Sequence, residues 1–272
     1  MDKTINNKYV ILDKIGSGSF GSIYKGQNIR TKEYVAIKVE CAKHDLKLLK
    51  NESTIYQYLN GCEGIPHVKW FGKDENNYYM VINLLGSSLQ DLINKNKKLS
   101  SILVFKLGIK ILCIIKTIHE KGLVHRDIKP DNFLFGSKQI NQIYLIDFGF
   151  CKSYIDNGEH NKIKKTSHMI GSKNYASINS HKCNDLSRRD DLESLCYMLM
   201  YFYTGELPWN TILDEQTIIV LKNEILNNDN NYPLVLTDFL RYCRSMEYEE
   251  KPNYYLIIDN FKREIELLSK TS

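Results

Sequence analysis

The chain has 272 residues, enough for one large hydrophobic core or for two modest cores that share an interface. Hydrophobic residues make up 43% and charged residues 25%, as in an average globular protein, which excludes long disordered stretches. The net charge of +5 is too small to indicate direct nucleic-acid binding, and it fits an anionic ligand or acidic substrates equally well.

The cysteines and the apolar stretches indicate the compartment. The 7 cysteines are scattered and form no C-x-x-C pair, which predicts small buried side chains in a reducing compartment rather than disulfides or a zinc site. Residues 1–8 are polar, so no signal peptide is expected. The most apolar stretch, 102–118, is interrupted by lysines, which argues against a membrane span. We therefore expect a cytoplasmic and/or nuclear protein that does not contact the membrane.

The first 85 residues have mainly the composition of strands. Segments rich in β-branched and aromatic residues predict strands at 9–12, 22–26, 34–39 and 78–82, and a glycine-rich turn separates the first two. Between the third and the fourth strand, apolar residues at helical spacing predict a helix over 44–60, which Gly61 ends.

Helices dominate the remainder of the chain. Ser100 is a suitable N-cap for a helix that runs to 121 and is ended by Gly122. Ser187 likewise precedes a helix to 203 that Gly205 ends. This order predicts an α+β protein of two lobes, with a β-rich N-lobe and its one main helix over 1–85 and an α-helical C-lobe over 86–272.

Glycines at 16, 18 and 21 form a G-x-G-x-x-G motif, which on its own also matches the dinucleotide-binding fingerprint. In that fold the glycines open a helix, whereas here a strand follows and predicts a β-hairpin over phosphates. The next strand carries V-A-I-K, which ends in Lys38, and the following helix carries Glu52. Lys38 would bind the α- and β-phosphates of ATP, and Glu52 would hold the Lys38 ammonium group in place.

The strongest motif is H-R-D-I-K-P-D-N at 125–132. Phosphoryl transfer needs a carboxylate that orients the substrate hydroxyl and accepts its proton, a role that the spacing gives to Asp127. Mg²⁺ prefers oxygen ligands, which Asn132 and Asp147 of the D-F-G motif would supply. Lys129 would neutralise the charge that develops on the γ-phosphoryl group, and His125 is assigned a structural role.

Each of these motifs alone has an ordinary structural explanation, such as a tight turn or a packed core histidine. Five of them in the correct order predict a protein kinase that uses ATP and Mg²⁺. Two alternatives stay open. A catalytically weak pseudokinase or scaffold is disfavoured because all the residues that such proteins usually lose are present, and a small-molecule kinase is disfavoured because residues 175–177 would form a peptide-docking ledge.

Further motifs resemble the casein kinase I family over residues 9–256. They are I-G-S-G-S-F-G at 15–21, L-L-G-x-S-L-x-D-L at 84–92, D-N-F-L at 131–134, Y-A-S-I-N at 175–179, S-R-R-D-D-L-E-S-L at 187–195, L-P-W at 207–209 and Y-C-R-S at 242–245. The vaccinia-related kinases usually lack the full motif at 125–132 and rank second. The chain ends at Ser272, about where the catalytic domain of the family ends, so no regulatory tail is expected.

The resemblance implies a bilobal eukaryotic protein-kinase fold and a monomeric, constitutively active, non-specific serine/threonine protein kinase. It implies protein substrates with acidic or phosphorylated residues near the target Ser or Thr. Ile82 would be the gatekeeper, residues 83–85 the hinge that binds adenine, and Asp191 a brace for the catalytic loop. The implied nucleotide-binding residues are Ile15, Gly16, Ser17, Gly18, Ser19, Phe20, Gly21, Ser22, Ile23, Ala36, Lys38, Ile82, Asn83, Leu85, Asn132 and Asp147.

The sequence departs from the family on the substrate side. The family typically has an arginine before Y-A-S, where this chain has Asn174, and a glycine and a basic run after L-P-W, where it has Thr211 and retains only Lys222. In the family, the arginine and the basic run would bind the phosphate of a primed substrate. We therefore expect weakened selectivity for primed substrates, unless the lysines of the activation segment compensate, which are Lys162, Lys164, Lys165 and Lys173.

Overall fold

The structure is a computed structural model that describes residues 4–18, 21–42, 48–137, 139–227 and 231–271. The chain forms two compact units, the first made of 1–87 with 134–149 and the second of 88–133 with 150–272. The predicted lobe boundary after residue 85 lies two residues from the end of the first segment. The segment 134–149 also belongs to the first unit, although it follows the boundary in the chain.

Twelve strands and eight helices occur within the described residues. The strands are β1 (Thr4–Ile5), β2 (Tyr9–Gly18), β3 (Gly21–Asn28), β4 (Tyr34–Cys41), β5 (Val68–Lys73), β6 (Asn77–Asn83), β7 (Leu123–Val124), β8 (Phe133–Phe135), β9 (Ile143–Leu145), β10 (Lys152–Ser153), β11 (Ile155–Asp156) and β12 (Glu159–His160). The helices are α1 (Leu48–Tyr58), α2 (Leu89–Asn96), α3 (Ser101–Glu120), α4 (Ile178–His181), α5 (Arg188–Thr204), α6 (Glu215–Glu224), α7 (Leu234–Ser245) and α8 (Tyr254–Thr271).

The first unit is built on a six-stranded antiparallel sheet in the order β1-β2-β3-β4-β6-β5. One face of the sheet carries a hydrophobic cluster formed by Ile5, Tyr9, Val35, Ile37, Tyr79 and Val81. Because side chains alternate along a strand, the residues between these core positions point to the other face. All four predicted strands are confirmed and extend further than predicted, whereas β1 and β5 were not predicted.

Helix α1 follows β4 and is described from Leu48 onward. The buried carboxylate of Glu40 in β4 accepts hydrogen bonds from the backbone N–H groups of Leu48 (3.3 Å) and Leu49 (2.6 Å). A carboxylate at a helix N-terminus satisfies N–H groups that have no partner within the helix and interacts favourably with the helix dipole. The helix predicted over 44–60 is confirmed over 48–58, and residues 43–47 lie outside the described part of the chain.

The second unit is helical. Helix α3 packs against α5 and α8, and α5 packs against α7. At the centre, the ring of Phe261 in α8 lies 5.6 Å from the rings of Phe105 in α3 and Phe239 in α7. The predicted ends of α3 and α5 are confirmed: Ser100 and Ser187 occupy the N-cap positions, and Gly122 and Gly205 adopt the left-handed conformation that ends a helix (φ 77° and 87°).

The architecture confirms the predicted α+β class, with a β-rich unit and an α-helical unit. None of the 7 cysteines forms a disulfide. Cys151, Cys196 and Cys243 are buried, so the prediction of buried small side chains is correct for these three and wrong for the exposed Cys41 and Cys113. None of the helices in the described ranges is long and apolar enough to cross a membrane.

Candidate active site

The sheet of the first unit presents five of the predicted nucleotide-binding residues on the face opposite the core. Directly opposed residues of neighbouring strands point to the same face. The register pairs Gly16 with Ile23, Ile23 with Lys38, and Ala36 with Ile82, and Ala36 and Lys38 are two positions apart in β4. These five residues therefore share one face of the sheet.

The glycine motif forms a hairpin, as its context predicted. Strand β2 ends at Gly18 and β3 begins at Gly21, so a strand and not a helix follows the glycines, which excludes the dinucleotide-binding alternative. Gly21 lies so close to β4 that an added Cβ would collide with the carbonyl oxygen of Val39. Ser17 pairs with Ser22 across this hairpin, the side chain of Ile15 is half exposed, and Ser19 and Phe20 lie outside the described residues.

Lys38 is the centre of a charged cluster in the first unit. The Nζ atom lies 2.7 Å from Oε2 of Glu52 in α1 and 2.9 Å from Oδ1 of Asp147. Burial alone would lower the pKa of Lys38, but the charges of Glu52 and Asp147 outweigh it and raise the pKa above its usual value. The predicted ion pair between Lys38 and Glu52 is therefore present, and the lysine is held in the charged form.

Asp147 is held in a strained backbone conformation by its neighbours in the first unit. Its φ angle is +67°, and its backbone N–H donates to the hydroxyl of Tyr56 in α1 (3.2 Å). The ring of Tyr56 packs edge-on against Phe148, with centroids 4.9 Å apart. Positive φ is uncommon outside glycine and persists only where surrounding contacts enforce it. The D-F-G segment is thus fixed to α1, the helix that also carries Glu52.

The predicted hinge follows the end of β6. Ile82 and Asn83 are the last residues of that strand, and Oδ1 of Asn83 accepts a hydrogen bond from the backbone N–H of His67 (3.0 Å). The next residues are tied to β8, because Gly86 N–H donates to Phe135 O (2.8 Å) and Phe135 N–H donates to Ser87 O. Leu85 is half-buried. The segment is thus anchored on both sides within the first unit.

The catalytic loop lies in the second unit and is organised around Asp127. One carboxylate oxygen, Oδ2, lies 2.8 Å from Nζ of Lys129 and 3.3 Å from Nδ2 of Asn132. Nδ2 of Asn132 also donates to the backbone carbonyl of Asp127 (2.8 Å), so its amide oxygen is left to other ligands. The second oxygen of Asp127, Oδ1, is buried and has no hydrogen-bond partner among the described residues. A buried acceptor without a partner is costly unless function uses it.

Asp191, at the start of α5, braces this loop from the interior. The carboxylate accepts hydrogen bonds from the backbone N–H groups of His125 (2.7 Å) and Arg126 (2.8 Å) and lies 2.9 Å from Nε2 of His119. Burial alone would raise the pKa of Asp191, but the hydrogen bond and charge of His119, with the contribution of His125, lower it. His125 is buried and its Nδ1 accepts from Asp127 N–H (3.3 Å), which supports the structural role assigned to it.

A family model of the protein kinase domain matches residues 9–259, which is most of the chain. The chain belongs to the protein kinase family. Protein kinases generally use ATP and Mg²⁺. The fold is therefore that of a protein kinase domain, with an antiparallel N-lobe sheet and a helical C-lobe.

The two residues predicted to hold the metal ion of the kinase belong to different units. Asn132 lies in the second unit, in a 3-10 turn that begins at Pro130, and Asp147 lies in the first. In the described part of the chain, no group of three or more His, Cys, Asp or Glu side chains could hold a metal ion by itself. Mg²⁺ prefers oxygen ligands, so the amide oxygen of Asn132 and the carboxylate of Asp147 are each ligands of a suitable kind.

The activation segment of the kinase passes directly beside Asp127. Gly171 has a φ of +91°, and a Cβ added there would lie 2.5 Å from Arg126 O and 3.5 Å from Asp127 Oδ1. The neighbouring Ser172 accepts a hydrogen bond through Oγ from Nζ of Lys129 (3.0 Å). Ser172 was not among the residues that the sequence singled out, because nothing in its local pattern distinguishes it from a loop serine.

The departures on the substrate side are polar and uncharged in the structure. Asn174 donates through Nδ2 to Oδ1 of Asn210 (3.3 Å), and its carbonyl accepts from Nε1 of Trp209 (2.8 Å). Lys173 donates to Ile212 O (2.8 Å). Among the lysines that could compensate, Lys162, Lys164 and Lys165 are exposed.

Lys222 lies in helix α6, in the segment that follows the L-P-W motif. It is the one basic residue retained after the L-P-W motif, where the family has a basic run. In the structure it is fully buried. A side chain without solvent exposure cannot bind a phosphate on the surface, so Lys222 does not replace the basic run of the family.

Proposed function

We propose that this chain is an active serine/threonine protein kinase that transfers the γ-phosphoryl group of ATP to hydroxyl groups of proteins. The observation that carries the proposal is Asp127, whose Oδ2 is engaged by Lys129 and Asn132 while the buried Oδ1 has no partner among the described residues. A substrate hydroxyl that donates to Oδ1 would satisfy it. This is the position that a general base requires.

The N-lobe supplies the proposed ATP site. Gly16, Ile23, Ala36 and Ile82 form an apolar surface on the sheet face that does not pack against the hydrophobic core. Such a surface suits an adenine ring and ribose. The ammonium group of Lys38, held charged by Glu52, would neutralise the phosphates. When bound, Mg²⁺ would neutralise phosphate charge, and Asp147 together with the amide oxygen of Asn132 would hold it.

The C-lobe supplies the proposed chemistry. The substrate oxygen forms a bond to the γ-phosphorus while the bond from that phosphorus to the β,γ-bridging oxygen breaks, and ADP leaves with that oxygen. Asp127 orients the hydroxyl and takes its proton. Lys129 lies 2.8 Å from Asp127 and 3.0 Å from Ser172, so its charge is held beside the transferring group. A preorganised charge of this kind stabilises the transition state without reorganisation.

We further propose that the kinase is similar in substrate class to casein kinase I. The motifs at 175–179 and 187–195 support this likeness. The proposed substrates are proteins with acidic or phosphorylated residues near the target Ser or Thr, and the proposed setting is a monomer in the cytoplasm and/or nucleus.

Transfer of labelled phosphate from γ-labelled ATP to casein tests the proposal. The expected products are phosphoserine and phosphothreonine, identified by acid hydrolysis and separation of the phosphoamino acids. Predominant phosphotyrosine would contradict the Ser/Thr specificity. Absence of transfer to casein and to a panel of acidic peptides would instead favour a scaffold of the same fold.

Selectivity for primed substrates is expected to be weak. Loss of one charge-assisted contact costs about 1.5–3 kcal/mol, or roughly ten- to a hundredfold in affinity. At the position of the family's arginine, the side chain of Asn174 makes an uncharged hydrogen bond with Asn210. We therefore expect kcat/KM for a peptide with an upstream phosphoserine to exceed that for its unphosphorylated twin by less than about tenfold.

A gain-of-function variant sharpens this comparison. Asn174→Arg is expected to raise the primed-to-unprimed ratio of kcat/KM by about tenfold, because it adds a charge-assisted donor. Asn94→Arg adds the same charge on the exposed side of α2 and should leave the ratio unchanged. A strong primed preference in the unmodified kinase would contradict the expectation.

A further inference from the structure

Lys222 in α6 is a buried cation that the proposed chemistry does not use. Its exposure is 0%, and its Nζ lies 2.6 Å from Ala176 O, 3.1 Å from Lys173 O and 3.1 Å from Nε2 of His181. The ammonium group also lies over the rings of Tyr197 (4.7 Å) and Trp209 (5.2 Å). Burial of a charge is unfavourable unless hydrogen bonds and nearby π-systems compensate, so these contacts specifically stabilise the buried ammonium group.

The two carbonyl groups that Lys222 binds belong to one turn of the activation segment, residues 172–176. Within the turn, the N–H groups of Tyr175 and Ala176 both donate to Ser172 O (2.9 and 2.8 Å). The side chain of Ser172 in turn accepts from Lys129, which pairs with Asp127. A continuous series of hydrogen bonds thus joins Lys222 to the proposed catalytic base through the turn.

We propose that Lys222 is a positioning residue for the protein substrate, because its buried ammonium group fixes the turn at 172–176 on which the peptide would dock beside Asp127. The inference rests on the proposed kinase function. It assigns to Lys222 a role in the binding of the peptide and none in the binding of ATP. The contacts of Lys222 all lie in the second unit, whereas the proposed ATP residues on the sheet lie in the first.

The charge state of Lys222 gives the proposal a second readout. Burial lowers the pKa of Lys222 to about 7; the carboxylate of Glu193 in α5 opposes this shift and the guanidinium of Arg244 in α7 adds to it. Burial, followed by the charge of Lys222, lowers the pKa of His181 to about 4, so its imidazole stays neutral near neutral pH. Tyr197, a further titratable neighbour, has a pKa raised by burial and stays protonated.

Loss of the proton should weaken the turn without breaking its contacts. A charged Lys222 donates to both carbonyls and to Nε2 of His181, whereas the neutral amine still donates twice and accepts from the other tautomer of His181. Charge-assisted hydrogen bonds are about twice as strong as neutral ones. The turn is therefore fixed most firmly below about pH 7 and less firmly above it.

Steady-state kinetics on Lys222→Met test the proposal, with an unphosphorylated acidic serine peptide and ATP each varied at saturation of the other. We expect the KM for the peptide to rise by about tenfold, the loss of a charge-assisted contact, and the KM for ATP to stay within about twofold. Lys106→Met is the matched control, because Lys106 is an exposed lysine on helix α3. It should change neither constant.

The pH dependence of the unmodified kinase is the second arm. Its KM for the peptide should rise from about pH 6 to about pH 8.5, a range in which the acidic side chains of the peptide do not titrate, while that of Lys222→Met should be flat. A peptide KM that Lys222→Met leaves unchanged, or an equal rise for both substrates, would overturn the inference and leave the kinase function standing. If Lys222→Met does not fold, a pH-independent peptide KM in the unmodified kinase overturns it. Failure of the unmodified kinase to phosphorylate any peptide would instead refute the proposed function.

Discussion

Asp127→Asn is expected to lower kcat for peptide phosphorylation by about 10²- to 10⁴-fold, the usual contribution of a general base. Asparagine keeps the size of the side chain and can keep the contact with Lys129, but the amide has no basic oxygen that could take a proton. The KM for ATP is expected to stay within about twofold, because Asp127 belongs to the second unit and the proposed phosphate-binding Lys38 to the first.

The measurement compares initial rates for Asp127→Asn with those for Asp156→Asn, the same change at an exposed position of the β11–β12 hairpin. Thermal unfolding of both proteins shows whether a loss of rate reflects a loss of fold. An Asp127→Asn variant with a normal kcat would refute the assignment of the base. Equal inactivity of the variant and the unmodified protein would refute the proposed kinase activity and favour a scaffold.

The ATP-binding motifs of the N-lobe could be predicted because each lies in a single strand, turn or helix whose side chains follow a regular spacing. The hairpin, the strand that carries Lys38 and the helix that carries Glu52 follow one another in the sequence, and the ion pair between the two residues is found at 2.7 Å. The contact of Lys38 with Asp147 joins residues 109 positions apart. The sequence analysis did not predict that contact, since spacing carries no information at that range.

Other features depended on contacts that no local pattern reveals. The start of α1 is capped by Glu40, which comes from the preceding strand and not from the helix itself. The sequence also left the burial of Lys222 unseen, because a lysine in an amphipathic helix is normally exposed. Its surroundings are supplied by the activation segment, α5 and Trp209, which are distant in the sequence.

The catalytic loop shows why the base could be named from the sequence while its support could not. The spacing in 125–132 places Asn132 next to Asp127, and the structure has Nδ2 of Asn132 2.8 Å from Asp127 O. The brace, Asp191, lies 65 positions from Arg126 and was assigned only by resemblance. In the structure three nitrogen atoms converge on one buried carboxylate, which makes the loop depend on a residue that touches no substrate.

Asp191→Asn is therefore expected to lower the free energy of unfolding by about 3–5 kcal/mol, as does removal of one partner of a buried charged group. Asparagine offers one acceptor oxygen and turns an NH₂ group toward donors that the carboxylate satisfied, so at least one buried N–H loses its partner. Urea unfolding measures the loss, and Asp238→Asn, at an exposed position of α7, should stay within about 0.5 kcal/mol.

The pH dependence of this loss identifies its cause. The pKa of Asp191 in the folded protein is lowered from the ordinary value of 3.8, so its contribution to stability is complete above that value and is lost as the pH falls through the folded pKa. The difference in stability between the unmodified kinase and Asp191→Asn should therefore be constant near neutral pH and shrink below about pH 4. A difference that does not change with pH would mean that the charge of Asp191 does not cause the loss, and that the NH₂ group of asparagine facing the buried N–H donors does.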